Sequence, residues 1–355
     1  MKKILINGNF LCRNLTGIER FAFETIKQLD LIVSSEDNIS ILVPSNAKTK
    51  PVYKNIRIIE SEKPLTSHPL WDLFYMGHIA KKEKAFALNF ANTSPLGKRA
   101  GFTFLHDIYA KIYPEDFVSK RDKLMRLYNC FSYWNTAKHC KKVLTVSEFS
   151  KKQISETYNI CPDNIIVVPN GWDHFELIEP DFSIFEKYPD LKNRSFYFTL
   201  GSLSKRKNLK WIAEYASRHT DEFFAISGKM ISGLVPPELE ILTKLPNVTC
   251  LGYVSDQEVK ALMQKCKAFV LPSYYEGFGI PPLEALSSGA KIIVAKAASL
   301  PEIYNDCAHY IDPDNSVCDL GQLLSEPVSS PEKILSKYTY KNAAIILRDF
   351  LKTQV

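Results

Sequence analysis

Short runs of β-branched and aromatic residues recur along the chain, and most are followed by a longer stretch whose apolar positions fall three or four apart. The first kind of run predicts a buried strand, the second an amphipathic helix. In the first half, strands are expected at Lys3–Ile6, Ile39–Val43, Ile56–Glu60, Ala85–Leu88, Phe102–Leu105, Val143–Val146 and Ile165–Val168, with helices over 17–30, 69–83, 119–140 and 147–158. The rhythm breaks around 175–195, where Glu176, Glu179, Pro180, Asp181, Pro189 and Asp190 make a polar, turn-rich stretch. It resumes with strands at Phe196–Leu200, Phe223–Ile226, Val248–Leu251, Ala268–Leu271 and Lys291–Val294, and with helices from about 207, from Ser255 and from Pro281. A last helix, about 331–352, follows the start signal Ser329-Ser330-Pro331.

Such alternation predicts an α/β fold with parallel sheets covered by helices on both faces. A chain of 355 residues is too long for one ordinary core. The expected organisation is a first α/β domain over 1–175, a linker over 176–195, a second α/β domain over 196–335 and a terminal crossover helix over 336–355.

Composition narrows the class. Hydrophobic residues make up 45% and charged residues 24%, the mix of a folded water-exposed protein. The eight cysteines are scattered, with no zinc-like spacing, and are expected to be buried thiols of a reducing compartment. Ile4-Leu5-Ile6 is too short an apolar run for a leader, and no apolar stretch is long enough to span a bilayer, so a cytoplasmic protein is expected. The charge is uneven. Residues 1–175 hold 25 basic and 17 acidic side chains, a net of +8, while the remainder nets −2. A basic half suits an anionic partner such as a lipid surface or a phosphate-bearing acceptor.

Ligands of open α/β sheets bind at the carboxyl ends of strands. After the strand ending near Leu271 comes Glu276-Gly277-Phe278-Gly279-Ile280, and a helix opens at Pro281-Pro282. The amides of Phe278, Gly279, Ile280 and Leu283 are the candidates for an anion on the helix axis. Glu276 and Glu284 bracket this loop, and a carboxylate accepts two hydroxyl hydrogen bonds at once, which suits the vicinal diols of a ribose or a hexose. After the strand Phe196–Leu200 comes Gly201-Ser202, then Lys205-Arg206-Lys207 opening a helix. Three adjacent cations repel one another unless an anion lies among them. His106-Asp107 ends another strand, and Gly17-Ile18-Glu19-Arg20 opens the first helix. Asp312-Pro313-Asp314 has the spacing of a metal-binding pair but reads as turn chemistry, so no metal is expected. No G-x-G-x-x-G follows the first strand, which argues against a dinucleotide-dependent dehydrogenase.

The loop from Leu271 to Leu286 resembles the E-x7-E motif of retaining glycosyltransferases of family 4, here Glu276 and Glu284. Asn247–Ser255 is similar to that family's nucleotide-base loop, Val168–Asp173 to the segment closing its first domain, and Gly17–Arg20 to its glycine-rich loop. The resemblance covers nearly the whole chain. It implies a GT-B fold, two Rossmann-like domains facing across a cleft, with the C-terminal helix returning to the first. It implies sugar transfer with retention from a nucleotide-diphosphate hexose or deoxyhexose, without metal, to a glycan or polyprenyl-diphosphate-linked acceptor in surface-polysaccharide assembly. No nucleic acid is expected as a partner. The protein is expected in the cytoplasm at the inner face of a membrane, and it is the basic first half, not the resemblance, that suits contact with anionic lipid.

The resemblance also implies roles. Glu284 holds the donor ribose and Glu276 faces the transferred sugar. Phe278 and Gly279, with Gly277 and Ile280 beside them, lie by the sugar or phosphates. Val254 meets the base through its backbone. Lys207 neutralises the leaving diphosphate; Gly201, Ser202 and Arg206 count among the donor-binding residues, with Ser202 standing where many members place an arginine. His106 orients or stabilises charge near the donor sugar, Gly17 lies by the phosphates, and Arg20 and Asp107 serve the acceptor or a phosphate. The alternatives are an epimerase or phosphorylase of the same fold, or a non-catalytic nucleotide-sugar binder.

Overall fold

The computed structural model describes residues 3–15, 17–201, 204–228 and 238–354. The chain divides into two compact units, one of residues 1–114, 123–171 and 338–355, the other of residues 115–122 and 172–337.

The first unit holds seven strands: β1 (Ile4–Asn7), β2 (Ile39–Val43), β3 (Arg57–Glu60), β4 (Phe86–Asn89), β5 (Phe102–Phe104), β6 (Lys142–Thr145) and β7 (Ile165–Val167). All pair in parallel, in the order β3-β2-β1-β4-β5-β6-β7. The strand order reverses between β1 and β4, which makes their carboxyl ends the natural ligand crevice of this sheet. Central strands are buried throughout, as the unbroken apolar runs predict, whereas edge strand β3 is largely exposed. The helix Ile18–Ile32 starts at Gly17, whose φ of +46° and ψ of −104° suit a residue without Cβ.

The expected final helix is in fact two, Glu332–Lys337 and Tyr340–Thr353. Thr339 divides them by accepting the Asn342 N–H on its hydroxyl at 3.1 Å, an N-cap that starts a new helix. The second helix returns to the first unit and packs Ala344, Leu347 and Leu351 into the core that holds Phe21, Ile26 and Leu29. Gly171 sits where the chain leaves this unit and Tyr340 where it comes back. A Cβ on Gly171 would lie 2.1 Å from the Tyr340 nitrogen, so the crossing admits only glycine.

The second unit holds β8 (Phe196–Leu200), β9 (Phe223–Ser227), β10 (Val248–Gly252), β11 (Ala268–Leu271), β12 (Ile292–Ala295) and β13 (His309–Ile311), parallel and in the order β10-β9-β8-β11-β12-β13. Strand β13 has only three residues and escapes a pattern reading. The polar stretch 176–195 folds within this unit as short helices that bury Ile184, Phe185 and Leu191. Its few apolar residues thus decide its place, against its polar average.

Candidate active site

In the second sheet the strand order reverses between β8 and β11, and the charged groups gather at their carboxyl ends. Past β8, residues Lys205–Lys207 make one tight turn closed by Asn208 in the left-handed region, φ +56°. The Asn208 side-chain amide donates to the carbonyls of Pro272, at 3.0 Å, and Pro313, at 2.8 Å, which ties this turn to the loop after β11. Lys207 is buried, and its ammonium donates to Glu276 Oε1 at 2.7 Å. Arg206 Nη1 lies 3.5 Å from Glu276 Oε2. Gly201 makes room for the lysine: a Cβ there would stand 3.0 Å from Lys207 Cε. Burial alone would push the Glu276 carboxyl up, but the charges of Lys207 and Arg206 outweigh it and hold the group below the usual carboxylate range.

The loop carrying Glu276 is itself buried and held from several sides. Ser299 Oγ donates to the Glu276 carbonyl at 2.9 Å, and the Tyr304 hydroxyl donates to the Gly279 carbonyl. Gly279 has φ +87°, and a Cβ on it would meet Leu300 Cδ2 at 2.7 Å, so glycine is required. Phe278 is buried. Ile280 caps the helix Pro281–Ser287, and its carbonyl accepts the Leu283 N–H at 2.9 Å. That corrects one expectation: the Leu283 amide is spent inside the first turn rather than offered to an anion. Glu284, also buried, meets His174, whose Nε2 lies 3.4 Å from Oε1. His174 was not a sequence candidate; its signal is its place just after Asn170-Gly171-Trp172-Asp173, at the start of the second unit.

Around the same sheet end, Gly201 N–H donates to the Ser227 carbonyl at 3.1 Å, while Gly228 N–H and Ser227 Oγ both reach the Gly252 carbonyl at 2.9 Å. The ends of β8, β9 and β10 are thereby laced together beneath Val254, whose side chain is buried. Gly277 is buried and Ile280 half-buried in the loop. Ser202 lies outside the described residues. Asp312 Oδ1 accepts the Asp314 N–H at 2.9 Å, so that carboxylate serves its own turn.

Gly17, Arg20, His106 and Asp107 belong to the first unit. His106 follows β5, packed edge-on against Phe21 at 5.2 Å and stacked near Phe104 at 5.6 Å. Its Nε2 donates to the Phe90 carbonyl at 2.7 Å, and its own N–H donates to Asn92 Oδ1 at 2.7 Å. Burial lowers its pKa, with the Phe90 carbonyl and the Asp107 charge offsetting only part, so the ring is neutral and suits orientation better than charge. Asp107 Oδ1 accepts the Tyr109 N–H at 3.0 Å, and Arg20 donates to the Leu15 carbonyl at 3.2 Å.

Sequence reasoning also passed over a network at the β1/β4 reversal. The helical stretch expected over 69–83 widens into a π-helical turn, Trp71–Tyr75, which carries Asp72 inward. The buried Asp72 carboxylate accepts from Asn7 at 3.0 Å, Asn9 at 2.7 Å and Thr93 at 2.8 Å. Burial pushes its pKa up, and these donors pull it partly back.

Residues 181–343 match the model of the family described as glycosyl transferases group 1. This segment is a group 1 glycosyltransferase domain. The chain is 27% identical over 268 residues to the O-antigen chain mannosyltransferase RfbU of Salmonella typhimurium, an alignment covering 73% of this chain and 71% of that one. Sucrose-phosphate synthase from Thermosynechococcus elongatus superposes with a TM-score of 0.73 at 13% identity, covering 100% of this chain and 99% of that one. HepE of Anabaena, solved in complex with UDP and glucose, gives 0.66 at 16% identity, covering 99% and 100%. At such identities these structures speak for the fold, two Rossmann-like α/β domains of the GT-B type.

Within the glycosyltransferase domain the cluster has a clear chemical capacity. Lys207, Arg206 and Glu276 sum to one positive charge in a largely buried place, Arg206 at its edge, where charge is felt more strongly than in water. Such a site can stabilise an anionic leaving group with no reorganisation of its own.

Proposed function

We propose that the chain is a retaining, metal-independent hexosyltransferase. It moves a sugar from a nucleotide-diphosphate donor to a glycan or polyprenyl-diphosphate-linked acceptor in surface-polysaccharide assembly. The observation that carries this reading is the buried Lys207–Glu276 pair, with half-buried Arg206 beside it, at the β8/β11 reversal, inside a group 1 glycosyltransferase domain. The mannosyltransferase relative supports a hexose, GDP-mannose first among the donors to try.

In this reading Glu284 holds the donor ribose through its diol. Glu276 does two things at once: it fixes the ammonium of Lys207 and presents its own carboxylate edge to the transferred sugar. As the glycosidic C–O bond breaks, positive charge grows on the sugar and negative charge on the departing diphosphate. Lys207, Arg206 and the amides of Phe278 and Gly279 take up the latter. The acceptor hydroxyl then attacks from the side the diphosphate leaves, handing its proton to a phosphate oxygen, so configuration is kept. His106, neutral, orients by hydrogen bonding. Arg20, Asp107 and Gly17 serve the acceptor or phosphates, and Val254 the base.

The test is a panel of GDP-mannose, UDP-glucose and dTDP-rhamnose with lipid-linked oligosaccharide acceptors, products read by NMR. A product that keeps the anomeric configuration of its donor is expected. An inverted product, an epimerised donor, or donor binding without turnover under every pairing would overturn it.

A further inference from the structure

The helix Lys120–His139 is built inside out. Its inward face carries Ser132, Asn135 and Thr136 beside a single aromatic, Tyr133, all buried. Two of the polar ones are satisfied by the segment that precedes β5: Thr136 Oγ1 pairs with Ser94 Oγ at 2.9 Å, and Asn135 donates to Ser94 Oγ at 2.9 Å and to the Pro95 carbonyl at 3.0 Å while accepting the Gly97 N–H at 3.1 Å. Its outward face carries Leu124, Leu127, Phe131 and Trp134, exposed by 69%, 61%, 42% and 44%. These four fall at i, i+3, i+7 and i+10, a single stripe along the helix. A soluble helix normally turns that stripe to the core, so a continuous one on the outside marks a contact surface.

Charge says what kind of surface. From Lys123 to Lys142 the chain has five basic residues, Lys123, Arg126, Lys138, Lys141 and Lys142, and no acidic one. Lys138 lies over the Trp134 ring, its nitrogen 5.1 Å from the centroid. Lys98 and Arg99, exposed, come directly after Gly97, which the helix grips through Asn135. Among the described residues, none of Lys98, Arg99, Lys123 and Lys138 has an ion-pair partner. A second copy of the chain would set this basic rim against itself across a two-fold axis, which like charge opposes. No helix among the described residues is long and apolar enough to cross a membrane.

We propose that this face is a docking surface for an anionic lipid bilayer, the helix lying in the interface plane with Leu124, Leu127, Phe131 and Trp134 in the acyl boundary and the lysines and arginine among the headgroups. Apolar burial and headgroup attraction act together there, and neither suffices alone. The inference stands apart from the glycosyltransferase reading and is tested without any turnover assay.

The full chain is sedimented with vesicles of equimolar phosphatidylglycerol and phosphatidylcholine, and with phosphatidylcholine alone. Binding to the anionic vesicles that weakens with salt is expected, with a blue shift of tryptophan emission that Trp134→Phe abolishes. Leu127→Ser with Phe131→Ser, both at exposed positions, should lower partitioning at least about tenfold with unchanged circular dichroism. Three outcomes would overturn the proposal: no binding at low salt, binding indifferent to lipid charge, or a concentration-dependent dimer that the double serine variant dissolves.

Discussion

His174 Nε2 stands 3.4 Å from Glu284 Oε1, and both side chains are largely buried. If Glu284 holds the donor ribose, His174 sets the angle at which its second oxygen is presented. His174→Ala is expected to raise the donor KM about tenfold, the cost of one hydrogen bond to a charged group, while kcat stays within about twofold. Gln at the same position should recover part of the loss by donating in place of Nε2. A donor KM unchanged in the alanine variant would remove His174 from the site.

The Lys207–Glu276 pair offers a double-mutant cycle. Lys207→Met leaves the Glu276 carboxylate buried with the more distant Arg206, at 3.5 Å, as the cation beside it. Removing one partner of a buried pair costs about 3 kcal/mol. Glu276→Gln in the same chain should restore much of that stability. Turnover should respond otherwise, falling at least about tenfold in either single variant and staying low in the double. Stability and activity recovering together would mean that the pair is structural alone.

Much of this was legible in the sequence, and the limits are physical. Strands such as Ile39–Val43, apolar but for Ser40, and Ala268–Leu271 are buried on both faces, so their bounds can be read directly. β13 and the break at Tyr338-Thr339 could not be, because three residues carry no period and a threonine cap interrupts an otherwise amphipathic pattern. Glu276 and Lys207 were each legible from their place at a strand end. That they touch was not, since 69 residues separate them and only the β8/β11 pairing brings them together. His174 and Asp72 owe their surroundings to tertiary packing: one sits in a short 3-10 segment, the other on a widened helical turn.

Acid should weaken the fold in two stages. The first involves histidines held neutral. Burial and then Arg13, whose Nε donates to His68 Nε2 at 3.2 Å, lower the His68 pKa to about 4; burial also lowers His106 and His309. The unfolded chain takes up these protons near pH 6.5 while the folded chain does not, so stability falls as pH drops from about 6.5 towards the folded values. The second stage is Glu276. Its folded pKa is depressed despite burial, so its contribution is present above the unfolded value of about 4.3 and is lost as pH falls through the lower folded one. Chemical denaturation from pH 7 to pH 3 should show both, with His68→Gln flattening the upper slope and Glu276→Gln the lower. A His68→Gln profile parallel to that of the parent would contradict the first assignment.

The proposed metal independence is tested through where the charges are. A diphosphate leaving group is commonly met by a divalent cation, but here fixed cations already stand at the strand ends, Lys207 and Arg206 with Glu276 between them. The one aspartate pair with metal-like spacing is engaged elsewhere. Asp312 uses Oδ1 on the Asp314 N–H at 2.9 Å, and its carbonyl accepts from the Trp211 indole at 2.9 Å, which anchors this turn to the helix Leu209–Arg218. Asp312→Asn and Asp314→Asn should therefore leave kcat within about twofold, the first at a stability cost of about 1 kcal/mol for the weakened turn. The enzyme should also turn over at its full rate in excess EDTA. Activity abolished by the chelator and returned by manganese or magnesium would show that the fixed cations do not suffice for the leaving diphosphate, and the role given to Lys207 would have to be withdrawn.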